Sequence, residues 1–233
     1  MSIIIKTSDL RKSFVQGDVE THVLKGIDFE AVEGEFITIM GRSGAGKSTF
    51  MYQMSLLDQP TSGDILIRGR SVATMGEAER VQFRLNNFGY VFQDYALLHE
   101  LTAIENVALP LLMQGKTKKH AYKEATASLE RTGLGHRLNN LPSQLSGGEQ
   151  QRVSIARSTV HKPEVLFADE PTANLDNVAS EIVMKIFEEL HTAGQTIIMV
   201  THERQYAENA ERIITIDDGR IVKEERMGKH KKE

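Results

Sequence analysis

The run Gly41-Arg42-Ser43-Gly44-Ala45-Gly46-Lys47-Ser48-Thr49 holds the densest chemistry in this sequence. Its spacing, G-x-x-x-x-G-K-[ST], gives loop amides that wrap nucleotide α- and β-phosphates and a lysine that reaches the β- and γ-phosphates. Ser48 adds a hydroxyl suited to Mg2+, and Thr49 completes the phosphate-binding set. A second anion grip lies far along the chain at Leu145-Ser146-Gly147-Gly148-Glu149-Gln150. Ser146 offers a hydroxyl, Gly147 and Gly148 let backbone N–H groups come close, and the helix that follows turns its positive end to the same anion. One chain with two phosphate grips implies two chains sharing nucleotides. The third cluster is Asp169-Glu170, where Asp169 suits a Mg2+ contact and Glu170 has the reach to orient and deprotonate water.

These side chains need rigid elements behind them. The apolar run Phe36-Ile37-Thr38-Ile39-Met40 reads as a strand entering the first loop, and Ser48 to Leu57 as the helix leaving it. Val165-Leu166-Phe167-Ala168 reads as a buried parallel strand that delivers Asp169 to its carboxyl end, where ligands of α/β sheets bind. Further strands are expected at 3–14, 23–32, 65–67, 196–200, 212–217 and 220–223, with helices at 177–192 and 203–209. The βα alternation from residue 163 implies parallel pairing. Between them, 102–113 and 117–132 carry helical periodicity, with Ala121, Ala125 and Leu129 on one face.

With the three clusters in order, the sequence resembles the ATP-binding cassette (ABC) ATPases over nearly its whole length. The resemblance implies ATP and Mg2+ as ligands. It makes Gln93, in Gly89-Tyr90-Val91-Phe92-Gln93-Asp94, the Q-loop glutamine and a metal contact beside Ser48 and Asp169. Asn174-Leu175-Asp176 matches the D-loop, and His202, after Thr201, the switch histidine that meets the γ-phosphate. Phe14 lies where the family stacks an aromatic on adenine. On this reading the catalytic residues are Glu170, His202 and Gln93. The nucleotide is held by Phe14 and residues 41–49 of one chain, and by Ser146, Gly147, Gly148 and Glu149 of another. Phrases such as Leu101-Thr102-Ala103-Ile104-Glu105-Asn106-Val107 are most similar to cassettes of lipoprotein-releasing and macrolide-exporting systems. Phe14, Arg42, Ala173 and Ser158-Thr159 stand where that subgroup more often has tyrosine, proline, glycine and Ala-Leu.

The implied fold is a P-loop NTPase core with a mixed sheet, an N-terminal antiparallel β subdomain and an inserted helical subdomain. Residues 1–93 and 161–233 are expected to form the nucleotide-binding core, and 94–160 the helical part with the signature. The implied function is the ATPase subunit of an export or extraction complex acting on a lipoprotein, peptide or hydrophobic substrate. Its expected partners are a head-to-tail homodimer and separate multi-spanning membrane subunits. A cell-division cassette that signals across the membrane is the sister reading.

Composition bounds these readings. The chain has 233 residues, ample for a sizeable core, with 40% apolar and 26% charged residues. A formal net charge of −4 argues against a nucleic-acid partner. That counts against the rival from another class, an ABC ATPase acting on DNA or ribosomes. No apolar run is long enough to span a bilayer, and Met1-Ser2-Ile3-Ile4-Ile5-Lys6 reads as a first strand rather than a leader. The expected location is the cytoplasmic side of the membrane, held there through partners. Zero cysteines exclude disulfides and thiolate metal sites. Met51 and Met54 read as core filler, Lys116-Thr117-Lys118-Lys119 as a solvated helix start, and 228–233 as a frayed tail.

Overall fold

A computed structural model of the chain describes residues 2–227, so the expected tail at 228–233 lies outside the described residues. In chain order the elements begin with β1 (Ile3–Gln16), β2 (Val19–Val32), β3 (Phe36–Met40), α1 (Lys47–Met54), β4 (Ser62–Ile67), β5 (Arg70–Ser71), α2 (Glu77–Asn87) and β6 (Phe88–Val91). There follow α3 (Ala103–Met113), α4 (Lys118–Arg131), α5 (Gly147–Thr159), β7 (Val165–Asp169) and α6 (Asn177–Thr192). The chain closes with β8 (Thr196–Val200), α7 (Arg204–Ala207), β9 (Arg212–Asp217) and β10 (Arg220–Arg226). By contacts it divides into two units, 1–81 with 194–233, and 82–193. The helical block expected at 94–160 lies inside the second.

In the first unit β1 and β2 form a long antiparallel ribbon whose pairing runs from Ile3↔Val32 to Gln16↔Val19. β4 pairs with the other edge of β1, and β5 with β4. A separate sheet is built on β3, which lies parallel to both β8 and β9, while β10 turns back antiparallel to β9. The sheet is therefore mixed, because the tight turn between β9 and β10 leaves no room for a crossover helix. Phe36 to Ile39 are buried without alternation, as expected of a parallel strand covered on both faces. Phe50, Met51 and Met54 of α1 are buried, and Phe50 meets Phe29 of β2 edge-on at 5.4 Å. Both methionines thus serve as core. α1 stops at Met54, short of the expected Leu57, where Leu56 takes a left-handed φ of 60°.

In the second unit β6 and β7 pair in parallel, from Phe88↔Val165 to Val91↔Ala168. The rings of Phe88 and Tyr90 pack on Phe167 at 5.2 and 5.9 Å. α3, α4 and α5 share a core in which Ala121, Ala125 and Leu129 are fully buried beside Val107, Leu111 and Val153. That is the face the periodicity predicts. Among the described residues no helix is long and apolar enough to cross a membrane.

The segment between Gln93 and α3 has no regular structure, and its end nearest α3 is held by the side chain of Asn106. Asn106, fully buried on α3, accepts a bond from the Leu98 amide at 2.9 Å and donates to the carbonyls of Leu98, Leu101 and Thr102 at 3.0, 2.9 and 3.1 Å. Removing that amide leaves several loop groups without partners, each costing roughly 1–3 kcal/mol where water cannot replace it. Asn106→Ala is expected to lower stability by about 2–4 kcal/mol, read as a lower urea midpoint at unchanged slope; an unchanged midpoint contradicts this account.

Candidate functional site

The phosphate loop belongs to the first unit. β3 feeds residues 41–46, and Gly46, with φ 99°, starts α1. Gly41 passes so close to β9 that a Cβ would strike the carbonyl oxygen of Ile216. Gly44 takes φ 77° with open space where a Cβ would point, so there the backbone angle alone favours glycine. Lys47 is only 7% exposed, and its Nζ donates to the Arg42 carbonyl at 3.1 Å. No carboxylate pairs with it among the described ion pairs. A cation buried against one carbonyl is incompletely compensated. With the amides of an eight-residue helix start, it suits a polyphosphate. Arg42 contributes that carbonyl, which also accepts from Ala45 N, while its side chain and Ser43 are exposed. Ser48 and Thr49 lie in the first turn of α1, both half-buried.

Phe14, on β1 of the same unit, is 48% exposed, with Lys12 Nζ 4.9 Å from its ring centroid. Lys12 is itself held by Asp58 and the Gln59 carbonyl, both at 2.8 Å. A stacked base would take the other ring face. His202 follows β8, where the Thr201 amide donates to Ile39 of β3 at 3.2 Å and the Thr201 hydroxyl accepts from Glu203 at 3.1 Å. The imidazole is therefore carried on a rigid strand end next to β3, and it is exposed.

The second unit holds the acid pair, Gln93 and the signature. Asp169 ends β7 and is buried. Glu170 adopts a left-handed φ of 44°, which for a residue with a Cβ costs roughly 1–2 kcal/mol. The turn after it accounts for its persistence: Ala173 donates to the Glu170 carbonyl, Leu175 to that of Thr172, and Asp176 caps α6 by accepting from Ala179 at 2.8 Å. Gln93 is exposed, and its carbonyl accepts from the Asn174 amide at 3.1 Å.

In the signature, Ser146 is the N-cap of α5 and its hydroxyl accepts from Glu149 N. The Glu149 carboxylate turns back to Ser146 N at 2.9 Å and meets Arg137 at 3.1 Å. The structure thus gives Glu149's side chain a capping role. Its carboxyl lies below the usual value, chiefly through the bond from the Ser146 backbone, with Arg137 adding to it. Ser146 is exposed, and Gly147 and Gly148 are half-buried at the helix start.

Two functional supports escape a sequence reading. Gln151, fully buried, donates to the carbonyls of Pro171 at 2.7 Å and Phe92 at 3.4 Å, tying the segment after Glu170 to the one before Gln93. Arg157 donates to the Ala96 and Tyr95 carbonyls at 2.6 and 3.0 Å. Burial pulls its guanidinium down to about 10, which still leaves a cation at neutral pH. Polar residues on the inward face of α5 were the only hint of either.

Residues 24–173 match the ABC transporter family. The chain belongs to the ABC transporter family. It is 44% identical to the lipoprotein-releasing system ATP-binding protein LolD of Aquifex aeolicus, over 96% of this chain and 98% of that one. It is also 44% identical to the macrolide export ATP-binding/permease protein MacB of Agrobacterium fabrum, over 96% of this chain but 34% of that longer protein. A solved dimeric structure of a post-hydrolysis state of the cassette MJ0796, bound to ADP and Pi, superposes with a TM-score of 0.90 at 36% identity, covering 97% and 99% of the two chains. The chain is therefore an ATP-hydrolysing ABC cassette of the lipoprotein-release and macrolide-exporter type.

The lowered Glu149 carboxyl ties the cassette's cap to pH. A group with a depressed folded pKa contributes stability that is present above its unfolded value and lost as pH falls through the folded one. Wild type is expected to lose more stability than Glu149→Gln as pH falls through and below the usual carboxylate range, measured as urea midpoints at each pH. Parallel acid limbs for the two proteins would remove the cap from the account.

Proposed function

We propose that this chain is the ATPase subunit of a membrane transport complex, in which two cassettes pair head to tail around shared ATP. The observation that carries this is the signature helix. α5 opens with an exposed, side-chain-capped start at Ser146-Gly147-Gly148, an anion grip separate in sequence from the complete grip at 41–49. A triphosphate held by Lys47 and the loop amides of one chain would be closed over by Ser146 and the α5 amides of its partner. The dimeric, ADP- and Pi-bound MJ0796 structure supports the pairing.

The division of labour follows from residue chemistry. Lys47 offsets β/γ-phosphate charge, and Phe14 offers a stacking face for the base. Ser48, Asp169 and Gln93 are hard oxygen donors of hydroxyl, carboxylate and amide type, which fits Mg2+. When bound, the metal would be held by these oxygen donors and would supply positive charge against the phosphates. The Glu170 carboxylate takes the proton of the attacking water, and His202 meets the γ-phosphate. Dimer opening and closing would drive separate membrane-spanning subunits from the cytoplasmic side. Likeness to LolD and MacB favours a lipid-linked, peptide or other hydrophobic cargo.

Glu170→Gln keeps the side chain's size and removes the base. Hydrolysis is expected to fall on the order of a hundred- to ten-thousand-fold while ATP binding survives. Neutralising a carboxylate near the γ-phosphate also relieves repulsion. With Mg-ATP this variant should therefore run as a dimer by light scattering, and wild type with Mg-ADP as a monomer. A monomeric Glu170→Gln protein in saturating Mg-ATP would sink the shared-site mechanism.

Ser146→Arg should leave ATP binding by one chain intact yet abolish dimerisation and turnover. Normal hydrolysis by this variant at high protein concentration would contradict the assignment of the signature.

A further inference from the structure

Tyr95 lies two residues beyond Gln93, in a segment whose backbone takes an unusual course. Tyr95 and Ala96 are both left-handed, with φ 59° and 50°. Two such residues in succession, each with a Cβ, need outside support. The support comes from the signature helix, because Arg157 of α5 grips both of their carbonyls. That backbone fixes where the phenol goes.

The hydroxyl reaches two other motifs at once. It donates a long bond, 3.5 Å, to the carbonyl of Asn174, and the Asn174 amide returns bonds to the Gln93 carbonyl at 3.1 Å and the Asp94 carboxylate at 3.3 Å. It also abuts Gly147. A Cβ on Gly147 would lie 2.8 Å from the Tyr95 hydroxyl but 3.7 Å from the ring carbon that bears it, and 3.7 Å from Leu175. Only the hydroxyl oxygen therefore sets the clearance at the start of α5. Partial burial and the neighbouring Asp94 raise the phenol's pKa, so it stays a neutral donor.

We propose that Tyr95 is a positioning residue: its hydroxyl, lodged between Gly147 and the Asn174 carbonyl, sets the start of the signature helix relative to the Gln93 segment and the turn after Glu170. It touches no nucleotide. It acts through Gly147, which shapes the anion grip, and through Asn174, four residues along from Glu170. This rests on the reading that the signature closes a partner's site. The Gln93 segment and the grip offered to the partner are thereby joined by direct contacts through Tyr95 and Asn174. The glycine at 147 has a reason of its own here, since alanine would have to displace the hydroxyl.

The test uses Tyr95→Phe, which keeps the ring and removes only the hydroxyl. In the Glu170→Gln background with Mg-ATP, the protein concentration for half-maximal dimer should rise about three- to tenfold, as for loss of one hydrogen bond. In the wild-type background kcat should fall while the calorimetric Kd for ADP stays unchanged, a split that a merely structural role would not produce. A cycle with Gly147 supplies the second readout. Gly147→Ala alone should lower Tm, and Gly147→Ala with Tyr95→Phe should recover most of that loss, because the ring carbon leaves ordinary contact distance. Tyr95→Phe with an unaltered dimer midpoint and kcat, or no recovery in the double variant, overturns the proposal. A Glu170→Gln parent that stays monomeric instead overturns the shared-site reading beneath it.

Discussion

The ammonium of Lys47 is buried, and among the described residues it bonds one carbonyl and pairs with no carboxylate. A charge so placed is unfavourable until an anion arrives, so this residue makes the loop a receptor rather than a structural turn. The rest of the first unit serves that arrangement. β3 must be stiff and covered on both faces to present the loop, which is why its residues are buried without alternation. β9 must run close enough to bar any side chain at Gly41. Phe50, one turn beyond Lys47, anchors the helix start against Phe29.

The second unit solves a different problem, holding polar loops in place without regular structure. It does so with buried side chains that satisfy several backbone groups at once. Asn106 fixes the loop before α3, Gln151 bridges the segments around Phe92 and Pro171, and Arg157 holds the Tyr95–Ala96 carbonyls. Each is a polar group taken out of water, and each satisfies backbone carbonyls that would otherwise be left unpaired. Gln151 and Arg157 lie on α5, so the helix that presents Ser146 also braces the loop that presents Gln93.

Much of this was legible in the sequence, for identifiable reasons. The parallel strands announce themselves as unbroken apolar runs, and Ala121, Ala125 and Leu129 mark a buried face by spacing alone. The family was legible because its motifs are local runs whose order is itself specific. What stayed hidden was non-local. α2 has acidic residues in its first turn but buries none of its side chains fully, so the spacing of Ala78, Val81 and Leu85 marks no core face. Tyr95 reads as one more aromatic until the left-handed backbone turns its hydroxyl toward Gly147. Glu149 reads as part of an anion site, yet its carboxylate folds back as a cap, a preference that depends on where α5 begins.

Glu170 closes β7 in a conformation that an L-residue adopts reluctantly. Glycine or asparagine would rest there more comfortably, and either would relieve backbone strain. Neither carries a carboxylate. Selection for a sturdier chain and selection for a faster ATPase therefore pull in opposite directions at this one position. A screen for thermal tolerance that ignored turnover would drift toward exchanging the acid, and would yield a cassette that outlasts its parent while doing no work.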